Sequence, residues 1–103
     1  MDQHIIDFRD IDWTEQRPGV RYKSLSRGSM TMRMVEFNAG VIEEDWCTKG
    51  HVGYVLDGRL DVDFGPSISH LKKGEGLYIA AGTPHRASVP EGAPAVVIFM
   101  ETA

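Results

Sequence analysis

Alternation of apolar and polar side chains runs through most of this chain. Leu60, Val62 and Phe64 interleave with Arg59, Asp61 and Asp63, which describes a strand with one buried and one wet face. Just upstream, His51, Gly53 and Val55 share one face, while Val52, Tyr54 and Leu56 share the other. Asp57-Gly58 separates the two runs and predicts a tight hairpin, because both central residues of the favoured turn take φ > 0. His51 therefore falls on the face of Val55, beside a glycine that leaves room. A histidine there is either a packed core residue or a ligand in a pocket.

Further strands are expected at 20–25, 30–37, 67–71, 86–89 and 95–100, the last a continuous apolar run, with a brief apolar run at 77–80. Turn chemistry falls between them, at Gln16-Arg17-Pro18-Gly19, Arg27-Gly28-Ser29, Asn38-Ala39-Gly40, Gly65-Pro66 and Pro90-Glu91-Gly92-Ala93-Pro94. Asp10-Ile11-Asp12-Trp13 alternates and predicts an added edge strand, with Trp13 plugging an end of the fold or a subunit contact. Met30, Met32 and Met34 form a stripe on the strand over 30–37. Ordinary core filling is the favoured reading of that stripe, ahead of an adaptable pocket wall, since methionine is a common gap-filler. No segment sustains a helical period. Many short strands at this spacing predict an all-β sandwich or barrel. It is expected to be a single domain over 1–103, with 1–19 as a lead-in packing on the barrel or on a dimer partner.

The totals narrow the partners. At 103 residues the chain has a modest core, so a second copy is an expected companion and a homodimer is the expected state. A net charge of −4 argues against nucleic acid or an anionic membrane surface as partner. No apolar run reaches the length of a membrane span. The opening Met1-Asp2-Gln3-His4 lacks a basic region followed by an apolar stretch, so no secretory signal is expected. One cysteine cannot close an intrachain disulfide, and a cytoplasmic, reducing compartment is the expectation.

Four side chains could carry chemistry: Asp45, Cys47, His51 and His85. Asp45 and Cys47 are two apart and project from one face of an extended segment. His51 follows after a bend, and a closed barrel would bring His85 alongside. A thiol, two imidazoles and a carboxylate suit zinc, iron or nickel. On composition and spacing alone, packed core histidines and a buried cysteine are the commoner outcome.

The stretch Gly74-Glu75-Gly76-Leu77-Tyr78-Ile79-Ala80-Ala81-Gly82-Thr83-Pro84-His85 resembles the second signature of the cupin family, with Gly74, Gly82 and His85 on its fixed positions. Ala80 stands where that signature has proline, and Val89 where it has asparagine. Gly58 matches the closing glycine of the first signature. Counting back from it puts His51 at the glutamate position and Cys47 and Asp45 at the two histidine positions, with Gly40 near the opening glycine. The resemblance implies a cupin-type conical β-barrel, a double-stranded β-helix or jelly roll. It also implies a divalent transition metal (Zn, Fe or Ni) held by Cys47, His51 and His85, with Asp45 as an optional ligand. A small polar or carboxylate-containing molecule would then be the ligand or substrate. The alternative is a non-catalytic ligand-binding or redox-sensing module whose metal site is degenerate. Fold alone does not choose a reaction.

Overall fold

Among the residues that the computed structural model describes, 2 and 4–102, nine strands form two antiparallel sheets. They are β1 (Thr14–Arg17), β2 (Val20–Arg27), β3 (Met30–Phe37), β4 (His51–Asp57), β5 (Arg59–Asp63), β6 (Ile68–Lys72), β7 (Gly76–Ile79), β8 (Arg86–Ser88) and β9 (Ala95–Thr102). The larger sheet runs β1-β2-β3-β9-β4-β7 and the smaller β6-β5-β8. Their facing sides close a β-barrel core. Val35, Phe37, Val55, Val97 and Phe99 come from the larger sheet and meet Leu60 and Val62 from the smaller. Each such apolar side chain contributes about 1.5–3 kcal/mol when fully withdrawn from water. The all-β expectation is met. Met1, Gln3 and Ala103 of the expected 1–103 domain lie outside the described residues.

The predicted β4–β5 hairpin does not form. β4 pairs with β7 and β9, whereas β5 pairs with β6 and β8, so Asp57-Gly58 is the corner where the chain leaves one sheet for the other. Only the glycine takes the left-handed conformation, at φ 76°. A side chain there would strike the Pro94 carbonyl. The pairing of β4 with β9 slips between Val55 and Asp57, and such a bulge bends a strand. Asp-Gly thus marks a tight backbone reversal correctly, but local sequence cannot say which strands flank it in space.

The alternation of β4 and β5 holds: Gly53, Val55, Leu60 and Val62 are buried, while Val52, Tyr54 and Leu56 are exposed. The methionine stripe faces the other way from its expected position. On β3 the buried residues are Val35 and Phe37, so Thr31 and Arg33 share the inner face and Met30, Met32 and Met34 the outer. Thr31 and Arg33 made the inner face look like the wet one, because an inward arginine has no local signature. Register aligns Leu25, Met32, Met100, Val52 and Tyr78 in one row across the outer face of the larger sheet.

The edge strand expected over 10–13 lies further along the chain. Phe8–Asp10 is a 3-10 turn with the Asp7 carboxylate accepting from the Arg9 backbone N–H, and the edge strand starts only at Thr14. Trp13 lies against β2, with the Arg21 guanidinium 4.2 Å and the Lys23 ammonium 4.9 Å from its ring centre. Among the described residues no helix is long and apolar enough to cross a membrane.

Candidate metal centre

Two strand-like segments outside the regular sheets bring the sulfur and one imidazole together. Cys47 and His85 form an isolated antiparallel bridge, Cys47 N–H donating to His85 O at 2.8 Å and His85 N–H to Cys47 O at 2.9 Å. Directly opposed residues on such a pair point to the same side. His51 opens β4, on its inward face. The result is a cluster in which one donor atom from each of Cys47, His51 and His85 lies within 4.8 Å of the others. The His51 and His85 rings meet edge to face at 5.2 Å, and Phe99 packs against His51 at 5.1 Å.

The ring nitrogens are already sorted. His85 Nδ1 lies 2.8 Å from the Thr83 carbonyl oxygen, which can only accept, so Nδ1 carries a proton and, in the neutral ring, Nε2 is the nitrogen with the lone pair. His51 Nδ1 lies 2.8 Å from Glu101 Oε2, in close contact without the alignment of a hydrogen bond. Burial pushes the His51 imidazole below its ordinary pKa; His85 and Arg33 push the same way, and Glu101 opposes them. A neutral ring is the form that binds metal. The Lys49 backbone N–H points at the Cys47 sulfur from 3.4 Å.

These residues open on a cavity of about 270 Å³ between the sheets. Its wall mixes apolar side chains (Val35, Phe37, Leu60, Leu77, Phe99) with Arg17, Arg33, Glu43 and Asp45. Arg17 is held by Glu43 at 2.6 Å, and Glu43 also accepts from the Ala87 N–H at 2.7 Å. Trp46 lies at the wall under Arg86, whose guanidinium sits 4.3 Å from the indole centre. Arg86 is accordingly half-sheltered, tied to Asp63 at 3.3 Å, and not a fully solvated cation.

The donor set fits a first-row divalent ion. One soft sulfur and two imidazole nitrogens are the ligands zinc and related ions take, at bonds of about 2.0–2.3 Å. Of the four sequence-predicted residues, the structure brings Cys47, His51 and His85 together. Asp45 is exposed; it lines the cavity but stands outside the cluster of three. Sequence reasoning missed Glu101. The apolar run ends at Met100, but β9 continues to Thr102, and its inward series Ala95, Val97, Phe99 extends by one step to Glu101. Carrying the period past the last apolar residue puts Glu101 on the inward face, but not beside His51.

A family model described as "Cupin domain" matches residues 31–101. No curated protein matches the chain. Solved structures do. KdgF from Halomonas sp. aligns with a TM-score of 0.78 at 20% identity, covering 92% of this chain and 89% of that one. The polyketide cyclase RemF from Streptomyces resistomycificus aligns with a TM-score of 0.81 at 15% identity, covering 95% and 78% respectively. An RmlC-like cupin from Shewanella frigidimarina aligns at 0.74 and 17% identity, covering 96% and 91%. At these identities the likeness is one of fold.

Proposed function

This chain belongs to the cupin family, and from that premise we propose that it is a small metal-binding cupin taking a small polar, carboxylate-bearing molecule into its barrel. The observation that carries the reading is the convergence of Cys47, His51 and His85 within 4.8 Å. The substitutions at the family's ligand positions are all to groups able to bind metal. A divalent ion held by Cys47, His51 and His85 would supply Lewis-acid polarisation of a ligand carboxylate or carbonyl.

The chain's own residues do the rest. Phe37, Leu77 and Phe99 give the cavity an apolar wall, and a less polar surrounding strengthens charged contacts made against it. Arg33 lines the same cavity, where its guanidinium meets Glu101 at 3.2 Å, the Gln16 side-chain oxygen at 3.3 Å and the Tyr22 ring at 4.8 Å and still has further N–H donors. Its planar fork suits a ligand carboxylate. Zinc, iron and nickel all suit the donor set, with Asp45 at the cavity wall as an optional further ligand.

The protein is read as a cytoplasmic homodimer. Val52, Tyr54 and Tyr78 are 52%, 48% and 76% exposed on the outer face of the larger sheet, and an apolar patch of this kind favours cover by a second copy.

Metal analysis of protein purified without a metal-affinity tag tests the site. Near-stoichiometric metal in the native or the metal-soaked sample is expected, and Cys47→Ser should lower it. A content near zero in both samples would leave a non-catalytic ligand-binding or redox-sensing barrel.

A further inference from the structure

Glu101 is the buried charge that the chemistry above leaves without a task. It is 2% exposed. A buried carboxylate is tolerated only when it is paired, and this one has a cation or an imidazole at each oxygen. Oε1 faces Arg33 Nη1 at 3.2 Å. Oε2 faces His51 Nδ1 at 2.8 Å and Lys49 Nζ at 3.5 Å.

The arrangement follows from strand register. Val52 on β4 is opposite Met100 on β9. One residue along each antiparallel strand, His51 and Glu101 are neighbours on the inward face. Gly53 lies opposite Phe99 and lacks the Cβ that would press on that ring, so Phe99 can pack against the imidazole. His51 is thus bounded by Phe99 and has Glu101 at its Nδ1 edge.

We propose that Glu101 is a positioning residue for metal binding: it holds the His51 ring with Nδ1 protonated and Nε2 directed to Cys47 and His85, while Arg33 and Lys49 hold Glu101. This rests on the reading of the three donors as a metal site. A carboxylate accepts and does not donate, so its approach to within 2.8 Å of His51 Nδ1 favours the neutral ring with the proton on that nitrogen, a contact that a small rotation of the imidazole turns into a hydrogen bond. His85 is set in the same state by the Thr83 carbonyl. The two imidazoles therefore present the same nitrogen, one through a backbone acceptor and one through a side chain. Carboxylate contacts of this kind fix the tautomer and raise the basicity of a ligating imidazole. Arg33 also lines the cavity, so Glu101 joins the ligand wall to a metal ligand through one side chain.

A purely structural role, in which Glu101 merely neutralises Arg33 and Lys49, makes different predictions. Cobalt(II) is titrated into the metal-free full-length chain and followed by the thiolate-to-cobalt charge-transfer band. Long-range proton–nitrogen spectra of the metal-free protein report the tautomer of each histidine. Glu101→Gln is expected to melt cooperatively, to bind cobalt about 10–100-fold more weakly, and to lose the single Nδ1-protonated form of His51 while His85 keeps its own. Cobalt affinity equal to wild type in Glu101→Gln overturns the role of Glu101 and leaves the metal site standing. No cobalt uptake by the wild type defeats the site itself and the positioning role with it. If Glu101→Gln fails to fold, the wild-type spectrum decides: His51 protonated at Nδ1 supports the proposal, and at Nε2 overturns it.

Discussion

His51 is held by opposing influences, and their balance sets a pH dependence. Burial is the largest and lowers its pKa from 6.5; Glu101 resists but does not prevail. With the folded value below the unfolded one, the unfolded chain takes up a proton first as pH falls. The contribution of this ring to stability is therefore complete above the ordinary imidazole range, and is lost as pH drops from there toward the folded value. In the metal-free protein, the urea midpoint should fall on acidification through that window, and His51→Gln should flatten the slope. An equal slope in the two proteins would show that His51 does not titrate as described. Metal affinity should fall in the same direction, since proton and ion compete for the same lone pairs. Cys47, His51 and His85 were legible as ligand types from sequence. Glu101 was not, because a charged residue beyond the last apolar position reads as a fraying strand end. Its burial depends on Arg33, distant in sequence.

At the scale of elements, β4 and β5 show how far a local pattern reaches. Their inward and outward faces follow from alternation alone. Their relation to each other does not: the turn between them changes sheets, and Gly58 sits hard against the Pro94 carbonyl. Gly58→Ala should destabilise the protein by more than the ~1–2 kcal/mol that a left-handed conformation alone costs a side chain. Gly28 is a matched control, with φ 59° and nothing within 4 Å of an added Cβ, so Gly28→Ala should show the conformational cost alone. Equal losses for the two substitutions in urea denaturation would mean that the Gly58 corner is looser than described. The methionines of β3 teach the converse lesson. Thr31 and Arg33 are polar yet face inward, because the cavity and Glu101 receive the arginine.

At the scale of the whole molecule, the closed inner wall and the uncovered outer face have separate fates. The inner wall shelters the candidate centre. The outer row of Leu25, Met32, Met100, Val52 and Tyr78 supports the proposed pairing of two copies. Sedimentation should find a dimer in the wild type. Val52→Lys, which sets a charge within the outer row without touching the core, should shift it to monomer with the fold intact. A wild type that sediments as a monomer at high concentration would remove the homodimer.

The chain's own pattern determined the strand class, the faces of β4 and β5, the cupin barrel and the identity of four ligand-competent side chains, of which the fold brings three together. Each is encoded within a few residues, by alternation, turn chemistry or signature spacing. Tertiary structure alone decided that Asp57-Gly58 joins two sheets and that the methionines of β3 face outward. It also decided that Glu101, at the far end of the chain, sits against His51. Those outcomes depend on which strands lie side by side, and that choice is made by packing across the barrel, where residues distant in sequence become neighbours.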